Sequence, residues 1–330
     1  MAVARGLTMM REMAGEAILT FDLEDWFQLT GRQFGISAGR DARGRLRGQV
    51  QRILELLARH QARATFFILG VTAEACPQVV HDVRAAGHEI GSHGYGHQLV
   101  RTLNADTFRA DLDRSIAVLR DICGTAPLGY RAPEFSIDRP SFWAFDVLLD
   151  CGFTYDSSIY PFGGRRYGIP DFPLDPHAVT APSGRTIMEI PLAVLEVMDR
   201  RIPVAGGGYW RLMPAPVLDW AMSRFGESRT PMLYFHPAEF DPRTLNPPLR
   251  TGRLVRVAVQ QNLQRRSVPA KLASLMRRRR CIGAGEFLSR TLPVAGDVQT
   301  SRSESRPQPQ FAEKTRPSAG RRVASVVPVE

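Results

Sequence analysis

His93 and His97 stand four residues apart in Ser92-His93-Gly94-Tyr95-Gly96-His97, a spacing that one helical turn would bring to a single face. Two imidazoles so arranged suit one divalent metal ion. Taken alone, such a pair more often marks unrelated surface histidines. Here Gly91, Gly94 and Gly96 flank it, so the backbone bends tightly just after an apolar run, where ligands gather in α/β enzymes.

A second group is Thr20-Phe21-Asp22-Leu23-Glu24-Asp25-Trp26, in which three carboxylates begin inside a hydrophobic strand rather than at a loop tip. Asp22 and Glu24 point to the same side of an extended chain. One could complete a metal site while the other takes a proton from water; helix-capping acids are the plainer alternative. Arg131 in Gly129-Tyr130-Arg131-Ala132-Pro133 and His236 in Met232-Leu233-Tyr234-Phe235-His236-Pro237 also close apolar runs. An arginine there can hold a carboxylate ionised and aimed, and a histidine can donate a proton near neutral pH.

These groups need elements that present them together. Apolar, β-branched runs recur at 17–21, 64–69, 89–91, 128–130, 153–155, 186–190 and 231–235, and read as strands. Helical spacing of apolar residues at 48–59 and 105–123 lies between them. The alternation predicts a parallel sheet or (β/α) barrel with its site at the carboxyl ends of the strands.

With 330 residues and 44% hydrophobic content, the chain can bury one large core. The net charge of +10 is concentrated: between Arg243 and Arg280 there are eleven Lys or Arg and no acid. That field favours anionic partners, including a membrane surface or a phosphate-bearing substrate, but no nucleic-acid motif accompanies it. Residues 254–275 keep a helical apolar rhythm, whereas the chain beyond Pro293 has the composition of a disordered tail. Residues 1–16 lack the apolar run of a signal peptide, and no later run spans a bilayer. A cytoplasmic location is therefore expected, with reduced thiols at Cys76, Cys123, Cys151 and Cys281.

In their order along the chain, Thr20-Phe21-Asp22, Ser92 to His97, Arg131-Ala132-Pro133, Asp156-Ser157-Ser158 and Tyr234-Phe235-His236 resemble the motifs of the polysaccharide deacetylase superfamily (NodB homology, carbohydrate esterase family 4-like). Phe21 to Phe27, the run Gly206-Gly207-Gly208-Tyr209-Trp210-Arg211 and the basic segment before Leu292 are similar to the branch associated with exosortase (PEP-CTERM) exopolysaccharide systems. The resemblance implies a distorted (β/α) barrel of about seven strands, TIM-barrel-like, with a C-terminal helical extension. Its segments would be an N-terminal extension over 1–16, the barrel over 17–242, a basic helical extension over 243–292 and the tail over 293–330.

Carried over by position, the resemblance implies Asp22 as general base, His93 and His97 as metal ligands, Arg131 as the residue orienting Asp22, and His236 as general acid tuned by Asp156. The commonest family pattern has two adjacent aspartates, but here Leu23 takes the second place. Glu24 is then the expected third ligand, with Asp25 as alternate. Zinc fits such ligands best, and cobalt, nickel or iron are tolerated. Trp26, Pro133, Tyr160, Tyr209 and Trp210 are the expected sugar-binding residues, although aromatic side chains are core by default. The glycine run 206–208 implies close backbone approach to substrate or to another strand.

The activity so implied is removal of acetyl groups from an N-acetylated glycan or lipid-linked saccharide, with the stretch Arg243 to Arg280 resting on anionic headgroups at the inner membrane face. Competing readings are an allantoinase-like hydrolase of a non-sugar amide and a catalytically inactive carbohydrate-binding barrel. The presence of His93, His97, Asp22 and His236 together speaks against both.

Overall fold

The computed structural model describes residues 15–24, 41–164, 166–226, 229–243, 259 and 262–291. Asp25, Trp26, residues 254–258 and 260–261 of the expected 254–275 helix, and the tail lie outside them; within the described part of that stretch a turn at 263–267 precedes the helix Val268–Met276, so it is not one continuous helix. The strands are β1 (Glu16–Leu23), β2 (Thr65–Ile68), β3 (Glu89–Ser92), β4 (Gly129–Tyr130), β5 (Tyr155–Asp156), β6 (His177–Thr180), β7 (Thr186–Glu189), β8 (Val194–Val197), β9 (Arg200–Pro203), β10 (Met232–Phe235) and β11 (Arg280–Ile282). The main sheet runs β10-β1-β2-β3-β4-β5-β7-β6, and β11 also pairs with β1.

Every pairing in it is parallel except β6 with β7. All carboxyl ends of the parallel strands therefore meet on one side, as in a curled, barrel-like α/β sheet. β1 sits between β10 and β2 and is buried from Ala17 onward, which is why it reads as a continuous apolar run rather than an alternating one. Phe21 stacks on Phe66 with ring centroids 4.9 Å apart and meets Phe240 edge-on at 5.7 Å, behind the active face.

Helices α1 (Asp41–Arg59), α2 (Gly70–Ala75), α3 (Pro77–Ala85), α4 (Ala105–Cys123) and α5 (Trp143–Asp150) occupy the connections among the first strands. In α4, Asn104 Oδ1 accepts from Thr107 N at 2.9 Å at the start, and Gly124 ends the helix with φ +74°. Phe108, Leu112 and Leu119 face the core. Later come α6 (Gly207–Leu212), α7 (Ala215–Ser223), α8 (Val268–Met276) and α9 (Ala284–Thr291).

The seven expected strands are present, with ends shifted by one or two residues. Sequence periodicity missed β6, the β8–β9 hairpin and β11. These are three or four residues long, and only half-buried in β6 and β9, so their apolar pattern is too short to register. β11 also changes the expected helical extension, because that segment contributes a strand to the barrel sheet itself.

Within residues 262–280 of the basic segment, several cations are engaged by the protein itself. Lys271 Nζ donates to the carbonyls of Trp210 and Met213, each at 2.7 Å, at the end of α6. Buried Arg279 donates to the carbonyls of Met222 at 2.8 Å and Glu16 at 3.2 Å. Buried Arg265 grips the carbonyls of Ala238 and Arg243. Arg278 pairs with Asp219, and Arg280 with Glu286. Arg277 to Arg280 therefore do not share one free face, because consecutive residues here turn into different environments. No helix among the described residues is long and apolar enough to cross a membrane.

Arg279→Met strips the carbonyls of Met222 and Glu16 of a charged donor in a buried setting. It is expected to lower stability by roughly 2 to 3 kcal/mol in urea unfolding, and a change near zero would show that the clamp is idle.

Candidate active site

Asp22 lies one residue before the end of β1, and Arg131 directly follows β4. The Arg131 guanidinium is fully buried and each of its nitrogens is engaged. Nη1 donates to Asp22 Oδ1 at 2.8 Å and Thr20 Oγ1 at 2.6 Å; Nε and Nη2 donate to the carbonyl and hydroxyl of Ser157 at 3.0 and 2.9 Å. Its plane lies 4.3 Å above the Phe67 ring centre. Such a fork fixes the direction of the Asp22 carboxylate.

Glu24, just past β1, faces two imidazoles: Oε2 lies 2.5 Å from His97 Nε2 and Oε1 3.2 Å from His236 Nε2. One ligand atom each from Glu24, His93 and His97 falls within 4.8 Å of the others, and all three residues are buried. His93 Nδ1 meets the carbonyl of Arg131 at 2.7 Å. A carbonyl only accepts, so Nδ1 holds the proton and Nε2 keeps its lone pair for a metal.

Burial lowers the His93 pKa despite the nearby carboxylates, which favours the neutral, ligating ring. Burial pushes the Glu24 carboxyl up, but His97 and His236 outweigh it and hold the group well below the ordinary range. For His236 burial pushes down, while the hydrogen bond to Glu24 and the charges of Glu24, Glu239 and Asp22 bring its pKa up to about 9. A buried carboxylate flanked by two imidazoles, one with its lone pair held ready, fits a divalent cation.

The His93 to His97 segment is a turn, not a helix. Gly94 at φ +75° and His97 at φ +57° reverse the chain, and the ring centroids end 5.9 Å apart. Asp111 of α4 holds that turn, its carboxylate accepting from Tyr95 N at 2.7 Å and Gly96 N at 3.1 Å. A Cβ on Gly94 would stand 2.8 Å from Asp111 Oδ2, so glycine is required there.

Asp22, Glu24, His93 and His236 line one cavity of about 250 Å³. A polysaccharide deacetylase model matches residues 16–155, and a model described as a domain of unknown function (DUF3473) matches residues 157–288. Residues 16–155 are thus similar to the polysaccharide deacetylase family. The peptidoglycan deacetylase of Helicobacter pylori is 33% identical over 125 residues, covering 36% of this chain and 40% of that protein. The peptidoglycan-N-acetylglucosamine deacetylase of Bacillus cereus is 37% identical over 82 residues, covering 25% of this chain and 30% of that protein. The chain thus spans well under half the length of these curated relatives. A solved Mycobacterium smegmatis structure assigned to the polysaccharide deacetylases superposes with a TM-score of 0.56 at 23% identity, covering 89% of this chain and 96% of that one. It supports the same fold.

Residues 16–155 and the segment after them bring together Asp22, Glu24, His93, His97, Arg131 and His236. Other expectations need correction. Asp156 does not tune His236: its carboxylate accepts from Ser158 Oγ at 2.6 Å and Ser158 N at 3.1 Å and shares a hydrogen bond with Glu189. Burial pushes both Asp156 and Glu189 up, and the two buried acids sit beside Arg131. Ser158 Oγ in turn accepts from Ala132 N at 2.7 Å, so Asp156 shapes the loop behind Arg131.

Trp210 is fully buried, donates from Nε1 to Val204 O at 2.8 Å and packs edge-on against Phe235; it is core, not a sugar platform. Tyr160 is buried too, its hydroxyl accepting from Ala205 N at 3.1 Å. Pro133 is buried and opens the turn Pro133–Phe135, where Glu134 and Phe135 take φ of 53° and 49° and line the cavity. Tyr209 is half-buried and hydrogen-bonds Tyr167, which lines the cavity with Tyr234. Asp25 and Trp26 fall outside the described residues.

Asp111, Glu134, Arg166, Tyr167, Tyr234 and Glu239 were not singled out in the sequence. For Asp111 the signal was present: it lies between Phe108 and Leu112 on the buried flank of α4, where an acid needs a partner. Asp111→Ala frees the Tyr95 and Gly96 amides and is expected to weaken zinc binding about 10- to 100-fold in chelator competition. Unchanged affinity would show that the turn holds its shape without the carboxylate.

Proposed function

We propose that the protein is a divalent-metal-dependent N-deacetylase that hydrolyses the acetamide of N-acetylhexosamine units in a polysaccharide or oligosaccharide, in exopolysaccharide biosynthesis. One observation carries the reading: an arginine-aimed aspartate, a buried Glu/His/His group and a proton-bearing imidazole converge on one cavity at the carboxyl ends of parallel strands. The match of residues 16–155 to the polysaccharide deacetylase family and the names of the curated relatives support the reaction class. The exopolysaccharide role rests on the resemblance to the exosortase-associated branch, and zinc on the mixed carboxylate and imidazole donors.

Glu24, His93 and His97 would hold the cation, with Asp25 as an alternate carboxylate. When bound, the cation supplies Lewis acidity to the attacking water and the acetamide carbonyl. Asp22, directed by Arg131, takes the proton from water as the oxygen attacks the carbonyl carbon. A carboxylate only accepts, so the 3.2 Å contact between His236 and Glu24 means that His236 Nε2 carries a proton facing the cavity. His236 delivers that proton to the nitrogen as the C–N bond breaks, giving acetate and a free amino sugar. Phe135, Tyr167 and Tyr234 offer the apolar faces against which a sugar ring packs, and the Glu134–Arg166 pair, 2.7 Å apart, offers polar contacts to its hydroxyls.

Acetate release from N-acetylglucosamine oligomers and lipid-linked N-acetylhexosamine, by zinc-loaded protein, tests the reading. Asp22→Asn is expected to reduce turnover about 10²- to 10⁴-fold while metal still binds, and His93→Ala to abolish metal-dependent turnover. Stoichiometric metal binding without acetate release from any of these substrates would sink it.

A further inference from the structure

The candidate acid lacks the support expected of it, since Asp156 is engaged elsewhere. We infer that Glu239, seated against Gly207, is the residue that positions His236 for proton delivery; the inference rests on the deacetylase reading.

Glu239 closes the short turn Pro237–Phe240 directly after His236. It grips His236 from both directions: its carboxylate Oε2 accepts from the His236 main-chain N–H at 3.1 Å, and its own N–H donates to the His236 carbonyl at 3.0 Å. These two bonds fix the peptide units on either side of the His236 Cα, and hence the origin from which the imidazole projects. The projection matters because Nε2 must reach both Glu24 and the reacting nitrogen, and general acid catalysis tolerates little displacement.

The carboxylate is itself confined. Glu239 is buried and lines the catalytic cavity. A Cβ on Gly207 would fall 1.9 Å from its Oε2, so only glycine leaves room for the acid. Burial pushes the Glu239 carboxyl up, and the charges of His236, Arg211 and Arg265 offset part of that rise. Arg265 also donates to the carbonyl of Ala238, inside the same turn. The glycine run noted in the sequence thus admits two side chains from the β10 region: Gly206 faces the Tyr234 ring and Gly207 faces Glu239. That accounts for two consecutive glycines where neither has a positive φ.

The proton step supplies a readout that general loss of structure does not reproduce. In the amide reaction water oxygen bonds to carbon, the C–N bond breaks, and its electron pair on nitrogen takes the His236 proton. An aryl ester such as 4-nitrophenyl acetate loses a stable phenolate without needing that proton. A defect confined to the acid therefore lowers the ratio of amide to ester turnover, whereas loss of metal or of Asp22 lowers both together.

Zinc-loaded wild-type, Glu239→Ala, Glu239→Gln and Gly207→Ala proteins, each checked for folding by thermal melting and for bound zinc, are assayed on N-acetylglucosamine oligomers and 4-nitrophenyl acetate. Glu239→Ala and Gly207→Ala are expected to lower the ratio of amide to ester kcat about 10²-fold with KM for the amide little changed. Glu239→Gln, which keeps an acceptor for the His236 N–H, should recover most of it. Should Glu239→Ala unfold, Gly207→Ala carries the test, since it leaves the acid in place and only displaces it. Equal loss on both substrates, or an unchanged ratio, overturns the inference. Wild-type protein that releases acetate from the ester alone overturns the deacetylase reading instead.

Discussion

A guanidinium with no exposed surface organises this site. Arg131 would be costly to bury alone, and it is tolerated because Asp22, Thr20 and both polar groups of Ser157 complete its donor set. The same residue works through its backbone, since its carbonyl holds the Nδ1 proton of His93. One position after β4 therefore orients a candidate base with its side chain and a candidate ligand with its peptide group. Behind it the acids Asp156 and Glu189, both pushed toward the protonated form by burial, hold the serine and isoleucine amides of the 158–159 loop. A pair of buried acids that shares a proton costs less to desolvate than a pair carrying two charges, which fits their close packing behind the site.

The rest of the site is built from turns made stiff by local chemistry. Parallel strands deliver Asp22, His93, Arg131 and His236 to one side of the sheet, but strand ends alone do not set the angle of a side chain. At the candidate ligands His93 and His97 the angle comes from Gly94, left-handed His97 and the Asp111 carboxylate. At Glu134 and Phe135 it comes from two successive non-glycine residues with positive φ, a conformation that the surrounding packing must impose and that concentrates at binding sites.

How far the sequence discloses this depends on the range of the interaction. Asp22, His93, Arg131 and His236 could be read directly, because each is a polar residue ending an apolar strand and strand position alone puts it near the others. The seven main strands could be read for the same reason, and so could α4, whose expected and observed limits coincide. What failed were inferences about orientation. The H-x-x-x-H spacing suggested a helical turn, yet the glycines between the histidines made a tighter reversal possible. Asp156 was assigned to His236 because of its place at a strand end, but the loop that follows folds back over it and claims the carboxylate through Ser158. Trp210 looked like a sugar platform beside three glycines, whereas those glycines let the chain approach β10 so closely that the indole is driven into the core.

The basic segment illustrates the difference between composition and placement. Eleven cations without an acid suggest an exposed field, yet Arg265, Lys271 and Arg279 are used on backbone carbonyls, which are partial negative charges invisible to any count of acids. Of the three, Arg279 also joins the two segments that the family models separate near residue 156, because it reaches both Met222 and Glu16. β10 and β11, both from the later segment, pair with β1 from the earlier one. Asp22, Glu24, His93, His97 and Arg131 belong to the first segment, His236 and Glu239 to the second, and the 3.2 Å contact between Glu24 and His236 crosses from one to the other. The cavity consequently exists only where both segments share the sheet. The match to the polysaccharide deacetylase family ends at residue 155, so the candidate base and candidate ligands lie inside it, whereas the candidate acid His236 lies in the part of the chain that follows.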